Sequence, residues 1–388
     1  MKHNWEYKPI EDCFAYIKNG ATIKQEKGAV GFPITRIETL SNGVFNRSKM
    51  GYANILELGK YALNVLNDGD LLMSHINSKT YVGRTVLYEA LPNEIIIHGM
   101  NLLRLIPNET TLSKFFYYIT LSHYFKSKIV NIRKDAVNQS SFSITDLKKI
   151  HIPVPPMEVQ EQIVAELDKI NEVIADCREL LRNLDALAQS LFYDFFCDPV
   201  TNPKGWQTQI LSEIAPQHPY KGKFSVDDDL WLLNLDMIEK NTGRIINRHK
   251  VKYEDIGNSV YKIGPNQVLY SKLRPNLNKV VIADDFGYCT SELLPLNPQK
   301  GLLNCQYLAY LLRTKECVTL FSGKVAGAKM PRTDLKTFRT FQIPIPPFEL
   351  QEKFSARIEQ IEAEKKTVEE TIANLQMLLD SRMEYWFN

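Results

Sequence analysis

The sequence predicts an α+β protein built as a pseudo-two-fold repeat: two modules with curved mixed sheets, separated by two long helices paired as an antiparallel coiled coil. Three observations carry this. The run Ile152-Pro153-Val154-Pro155-Pro156-Met157-Glu158-Val159-Gln160-Glu161 returns 191 positions later as Ile343-Pro344-Ile345-Pro346-Pro347-Phe348-Glu349-Leu350-Gln351-Glu352, and the offset holds without a gap from Ile152–Cys197 to Ile343–Asn388. Each copy opens a stretch of helical periodicity free of glycine and proline. The charge repeats as well: net +6 over residues 1–155, −6 over 156–197, +6 over 198–347 and −4 over 348–388.

The modules come first in each half. Trp5 and Trp206 open them. Short apolar runs bounded by Gly, Asn and Pro read as strands: Phe32–Leu40 with Leu230–Ile238, Gly69–Ser74 with Asn266–Ser271, and Asn101–Leu105 with Glu292–Leu296. Leu112–Phe125 and Gln306–Leu312 read as helices, so each module is α+β.

The long helices follow. Ile163, Leu167, Ile170, Ile174, Cys177, Leu181, Leu184, Ala188 and Leu191 alternate at spacings of four and three, a heptad seam made for a partner helix at a shallow angle. The second copy places Phe354, Ile358, Ile361, Lys365, Val368, Ile372, Leu375, Leu379 and Arg382 at the equivalent sites. Lys365 and Arg382 break the stripe, so the seam is expected to be weaker or wetter there. Pro155-Pro156 sets the helix start, and about 38 residues give a rod of roughly 55–60 Å. Helix one ends near Phe196 and module two begins within about ten residues, after Asp198-Pro199. If that module is compact, helix two starts beside the end of helix one and runs back along it, which predicts antiparallel pairing.

The modules differ in their loops. After the shared strand, module one carries His75–Arg84, with Lys79 and Arg84, while module two carries Lys272–Lys279, with Lys272, Arg274, Asn276 and Lys279. Before each long helix lies a second polar loop: Asn131–Ser140, with Arg133, Lys134, Asn138 and Gln139, and Ser322–Lys329, with Lys324 and Lys329. Arg and Lys pair with guanine, Asn and Gln with adenine, and further Lys and Ser with phosphates, so a shared scaffold with divergent loops suits readout of a two-part nucleic-acid target. The competing reading is solvated surface; for Arg274 it is a surface arginine paired with Glu292. Basic modules favour a polyanion, while acidic helices suit protein partners.

Composition narrows the alternatives. Hydrophobic residues at 44% supply real cores. Six cysteines lie no closer than twelve positions apart, so neither a CxxC metal pair nor a dense disulfide framework is encoded. Met1–Glu6 holds no apolar signal region and no segment reaches the roughly 20 apolar residues of a membrane span, which points to a soluble, cytoplasmic protein. GxGxxG, P-loop, HExxH and N-P-P-[FY] patterns are absent, and Glu6-Tyr7-Lys8 matches only the tail of a nuclease motif.

The doubled I-P-[VI]-P-P-x-E-x-Q-E followed by a heptad helix resembles the specificity subunit of Type I restriction–modification systems. Ser271–Lys279 and Cys289-Thr290-Ser291-Glu292 look like recurrent motifs of that family's target-recognition domains, with Asn276 where the family often has Tyr. The resemblance implies target-recognition domains at 1–155 and 198–347, helices at 156–197 and 348–388, and a bipartite double-stranded DNA site read one half per domain. It also implies a non-catalytic subunit without a cofactor of its own. Its partners would be two modification subunits, which bind S-adenosylmethionine and methylate adenine N6, and restriction/motor subunits. Two rival readings are an enzyme carrying its own chemistry and a non-enzymatic scaffold whose modules bind RNA or peptides.

Overall fold

The computed structural model describes residues 5–137, 139–224, 230–252, 256–257, 259–323, 325–326 and 331–387. The chain divides into two compact units, Met1–Asp176 with Ile372–Asn388, and Cys177–Thr371. Each unit therefore holds one module, half of helix one and half of helix two.

In the first unit, Phe14–Asn19, Leu103–Pro107, Leu71–Met73 and Thr85–Leu87 form a four-stranded antiparallel sheet in that order. Alternation sends Leu71, Met73, Leu103 and Leu105 to one face, under Phe115, Phe116 and Phe125. Leu72 and Val86 go to the other face, against Leu40, Leu66 and Tyr88. Arg104 shares that second side and is buried with Asp70, at 2.6 Å. The chain entrance Glu6–Pro9 pairs antiparallel with His151–Val154, the strand that leads into helix one.

The second unit repeats the plan with a different sheet. Val280–Ile282, Val268–Ser271 and Leu293–Leu296 form an antiparallel sheet. Leu230–Leu233 pairs parallel with Gly287–Thr290 inside a second sheet that also holds His249–Val251 and Val260–Ile263, so this module is mixed. Thr208–Ile210 pairs with Gln342–Pro344, the strand that leads into helix two.

Three expectations change. The helix expected over Leu112–Phe125 is two helices, Ser113–Leu121 and His123–Ile132. Ser122 breaks it, because its hydroxyl donates to the Ile119 carbonyl at 2.6 Å and accepts the Phe125 N–H at 3.2 Å. Thr314 does the same between Cys305–Arg313 and Lys315–Ser322, and that last helix was not read from the sequence. The strand expected over Phe32–Leu40 instead winds into a 3₁₀ helix, Ile37–Gly43, because the Thr39 hydroxyl captures the Arg36 N–H at 2.8 Å.

The two long helices, Met157–Phe196 and Phe348–Phe387, have 40 residues each. Ile163, Leu167, Ile170, Ile174, Leu184 and Ala188 are buried on the first, with Cys177, Leu181 and Leu191 half-buried, and the stripe then moves onto Phe192 and Phe196. On the second, Phe354, Ile358, Ile361 and Val368 are buried and Ile372, Leu375 and Leu379 half-buried. In the first unit the start of helix one meets the end of helix two, where Glu166 takes Arg382 and, at 3.0 Å, the Trp386 indole N–H. In the second unit the end of helix one meets the start of helix two, with Phe192 and Phe354 at 5.8 Å between ring centres. The pairing is antiparallel. At its two breaks the charged side chains find acids: buried Lys365 reaches Asp185 at 2.7 Å and Glu362 at 3.0 Å, and half-buried Arg382 is forked onto Glu166. Among the described residues no helix is long and apolar enough to cross a membrane.

The repeated motif carries a buried glutamine with one job in both copies. Gln160 accepts the Leu112 N–H at 2.9 Å and donates to the carbonyls of Thr110 and Pro155, at 2.8 and 2.9 Å. Gln351 accepts the Asn304 N–H at 2.9 Å and donates to Leu302 and Pro346, at 3.0 and 2.9 Å. Both side chains are fully buried. Leu112 and Asn304 are the N-caps of Ser113–Leu121 and Cys305–Arg313, so one carboxamide fastens module, proline turn and long helix together. Replacing Gln160 with Leu strands one N–H and two carbonyls in a dry site. It is expected to cost about 2–4 kcal/mol in urea unfolding; a change under about 0.5 kcal/mol would show that the latch is dispensable.

Candidate nucleic-acid interface

Each module ends a buried strand in a loop and sets a hairpin against it. In module one, Leu71–Met73 runs into the loop from Ser74, and Lys134–Asp135 pairs with Ser140–Ser141 as a hairpin. Ile76–Asn77 of the loop pairs with the same Ser140–Ser141 strand. In module two, Val268–Ser271 runs into Lys272–Lys279, and Val325–Ala326 pairs with Arg332–Thr333. A single bridge, Leu273 to Arg332, joins loop and hairpin. The exits match: the Ser74 and Ser271 N–H groups donate to Arg84 and Lys279 carbonyls, at 2.9 and 3.0 Å, and the Ser271 hydroxyl donates to Leu273 at 2.9 Å. Sequence-distant polar loops therefore become one surface in each module.

In module one that surface is organised by Asp135. Its carboxylate takes the Ser140 hydroxyl at 2.7 Å, Arg133 at 2.6 and 3.2 Å, and Lys79 at 3.2 Å. These donors, the Ser140 hydroxyl first, hold its pKa down at about 2. Arg133 also donates to the Lys79 carbonyl at 3.3 Å, which ties hairpin to loop. The Arg84 guanidinium lies 4.1 Å from the ring centre of Tyr81. Lys134 and Gln139 are exposed, and the Ala136 N–H donates to the Gln139 carbonyl at 2.9 Å to close the tip. Asn138, Lys324 and Lys329 lie outside the described residues.

In module two the loop is held open by two left-handed residues, Arg274 at φ 50° and Asn278 at φ 49°. The Arg274 N–H donates to Pro331 at 2.7 Å, and the Asn278 side chain donates to the Arg313 carbonyl at 2.9 Å. Pro275 is buried beneath while Arg274 and Asn276 face solvent. Glu292, the alternative partner for Arg274, is instead paired with Arg332 at 2.9 Å. The Arg274 side chain carries no hydrogen bond or ion pair among the described residues. Lys272 is half-buried, its backbone bridging Glu292 and Thr333. Lys279, expected to face the phosphates, is tied to the fold here: its ammonium donates to the Leu235 carbonyl at 2.5 Å, and burial lowers its pKa.

A family model for the Type I restriction modification DNA specificity domain matches residues 2–182 and 203–376. The chain belongs to this DNA specificity domain family. Among similar members, the "Putative type I restriction enzyme MjaX specificity subunit" of Methanocaldococcus jannaschii is 35% identical over 218 residues, 55% of this chain and 50% of that protein. The type I restriction enzyme EcoKI specificity subunit of Escherichia coli is 24% identical over 50% of this chain and 42% of that protein. The chain thus spans about half the length of these two relatives. The MjaIX specificity subunit of M. jannaschii is 22% identical over 92% of this chain and 87% of its own length. The fold is shared with a chain from a study of complex assembly and conformational transition in the type I R-M system, at TM-score 0.56, 18% identity and coverage of 98% of this chain and 96% of that one. It is also shared with the type I S subunit of M. genitalium, at TM-score 0.56, 14% identity and coverage of 99% and 96%.

In this specificity-domain chain one basic residue escaped the sequence reading. Lys126 sits on His123–Ile132 and lines the same cleft as Lys79, Arg84 and Arg133. The helix expected to end at Phe125 runs on to Ile132, and Lys126 is the first residue beyond that expected end. The signal was there: Phe125, Ile129 and Ile132 recur at helical spacing and leave Lys126 on the outer face.

The free guanidinium and the tethered ammonium of module two lead to opposite expectations. Arg274→Ala should leave stability within about 0.5 kcal/mol and weaken duplex binding by about 1–3 kcal/mol at one position of one half-site. Lys279→Ala should cost about 1 kcal/mol of stability and leave the salt dependence of binding unchanged. A drop of about one in the salt slope for Lys279→Ala would return it to the phosphates.

Proposed function

We propose that this chain recognises a bipartite double-stranded DNA site and directs the other subunits of a Type I restriction–modification complex to it. Residues 1–155 and 198–347 act as target-recognition domains, one per half-site, and the helices of 156–197 and 348–388 act as spacer and docking surface. The observation that carries this reading is the loop-and-hairpin surface built twice on one scaffold and filled with different side chains. Module one offers Lys79, Arg84, Lys134 and Gln139; module two offers Lys272, Arg274 and Asn276. Loops that share a frame and differ in donors and acceptors are what two unlike half-sites require.

The acidic helices repel a phosphate backbone and suit protein partners, which we take to be two modification subunits and the restriction/motor subunits. Methyl transfer then belongs to the modification subunits with their S-adenosylmethionine, and this chain supplies position and sequence without catalysis, in the cytoplasm. Methylome sequencing of cells expressing it with its modification subunit is expected to show adenine methylation in one split motif. Tighter binding to RNA than to duplex DNA in direct competition would favour the scaffold reading instead.

The helices serve as a ruler under this proposal. Inserting one heptad into each adds about 10 Å of rod, so the non-specific spacer should grow by about three base pairs while both half-sites stay the same. An unchanged spacer in the methylome of the insertion variant would end the ruler idea.

A further inference from the structure

The first unit contains a cavity of about 440 Å³ whose rim is cationic and whose floor is apolar. Lys79, Arg84, Lys126 and Arg133 line it, and among the described residues no carboxylate does. Asp135 offsets one charge only, since Lys79 and Arg133 share it. Lys126 is exposed and has no ion pair among the described residues. The floor is Val82, Phe125 and Ile129, all buried. Gly83 lets the loop lie this close to the helix: at φ +84°, a Cβ on it would stand 2.8 Å from the Ile129 side chain. The hydroxyls of Thr85 and Thr120 on the wall already donate, to Gly83 at 3.2 Å and Tyr117 at 2.6 Å.

We propose that this cleft seats one nucleotide of the DNA backbone, the phosphate on Lys126 and Arg84 and the deoxyribose on the apolar floor. The inference rests on the duplex-DNA reading above and adds where one phosphate goes and which sugar it accepts. A phosphodiester needs cations that no protein acid has claimed, and Lys126 is one. The volume falls in the lower part of the range of small-ligand sites, which suits one sugar–phosphate rather than a base pair. A ribose would turn its 2′-hydroxyl onto Val82, Phe125 and Ile129, where it loses water and gains no acceptor. Among the described residues module two does not repeat the seat: aligning the helix caps Ser122 and Thr314 places Val318 where Lys126 stands.

The test uses the full chain and the duplex defined by its methylome, with single methylphosphonates scanned along both strands. Wild type should lose roughly fivefold to tenfold in affinity at one phosphate of one half-site. Lys126→Ala should bind more weakly, lose about one from the salt slope and become insensitive at that phosphate while keeping every other sensitivity. A single ribonucleotide at the same position should weaken wild type, and Gly83→Ala, with its circular dichroism unchanged, should abolish that discrimination. If Lys126→Ala binds as wild type does, or loses affinity with no phosphate uncoupled, the seat is wrong while the DNA reading stands. Saturation of the cleft by dTMP in a Lys126-dependent way, with duplex binding indifferent to Lys126, would assign a free nucleotide and overturn it too. Failure of wild type to bind any duplex would overturn the DNA reading and the seat together.

Discussion

The buried carboxamides of Gln160 and Gln351 fix the relation between each module and the helix that follows it. Only an amide can do this, because the site supplies two carbonyls and one N–H. A glutamate would face both carbonyls with a carboxylate and carry an unpaired charge into a fully buried position. The prolines on either side act in the same sense. Pro155-Pro156 and Pro346-Pro347 cannot continue the preceding strand as helix, so the chain turns where the glutamine can reach back to the turn it has just left. The N-cap residues that the glutamines hold begin Ser113–Leu121 and Cys305–Arg313, helices that bring Phe115, Phe116 and Tyr307 into the cores. Each copy of a short motif thereby governs packing about 50 residues upstream of it.

From those two anchors the helices run against each other, and their seam is where the repeat stops being symmetric. Lys365 and Arg382 occupy positions that Ile174 and Leu191 hold in the first copy. Each finds its acid on helix one, Asp185 and Glu166 respectively. The same offset gives Gln376 and Arg357 as the second-copy equivalents of those acids, so helix two packed on a copy of itself would set Lys365 against an amide and Arg382 against an arginine. Helix one packed on itself would leave both acids facing aliphatic side chains. Only the mixed pair satisfies the charges, so charge placement specifies the pairing where hydrophobic spacing alone would allow three. The interruption in the apolar stripe is therefore a source of specificity.

Much of this was legible in the sequence because it is periodic or repeated. The helices, their direction and their seam follow from the 191-residue offset and the alternation of Ile163, Leu167, Ile170 and Ile174. The modules were legible only in outline. Ser122 and Thr314 look like ordinary helix residues, and only the hydroxyl contacts to Ile119 and Leu311 turn them into breaks. Thr39 likewise redirects an apolar run that reads as strand into a 3₁₀ turn. Polarity marks the loops, but it cannot separate a side chain facing solvent from one tied to the fold. Arg274 and Lys279 lie five residues apart in one loop, and only the Leu235 carbonyl distinguishes them. Asp135 carried no signal at all, since its role is to gather residues from two segments more than 50 positions apart.

The two interfaces reach rigidity by different physics. Module one uses charge: a single carboxylate collects Ser140, Arg133 and Lys79, so hairpin and loop move together and the cations beside them are held in fixed relation. Module two uses backbone. Arg274 and Asn278 sit in a region that costs roughly 1–2 kcal/mol for a residue with a side chain, and the loop keeps them there through Pro331, the Arg313 carbonyl and buried Pro275. Either device lowers the entropy lost when a partner is bound, because the loop is ordered beforehand. They differ in how they respond to salt. The Asp135 cluster is exposed and weakens as ionic strength rises, whereas a left-handed turn pinned by backbone hydrogen bonds does not. Two modules on one scaffold can thus diverge in their loop side chains and in the conditions under which those loops stay firm, without any change to the glutamine latch or helix seam beneath them.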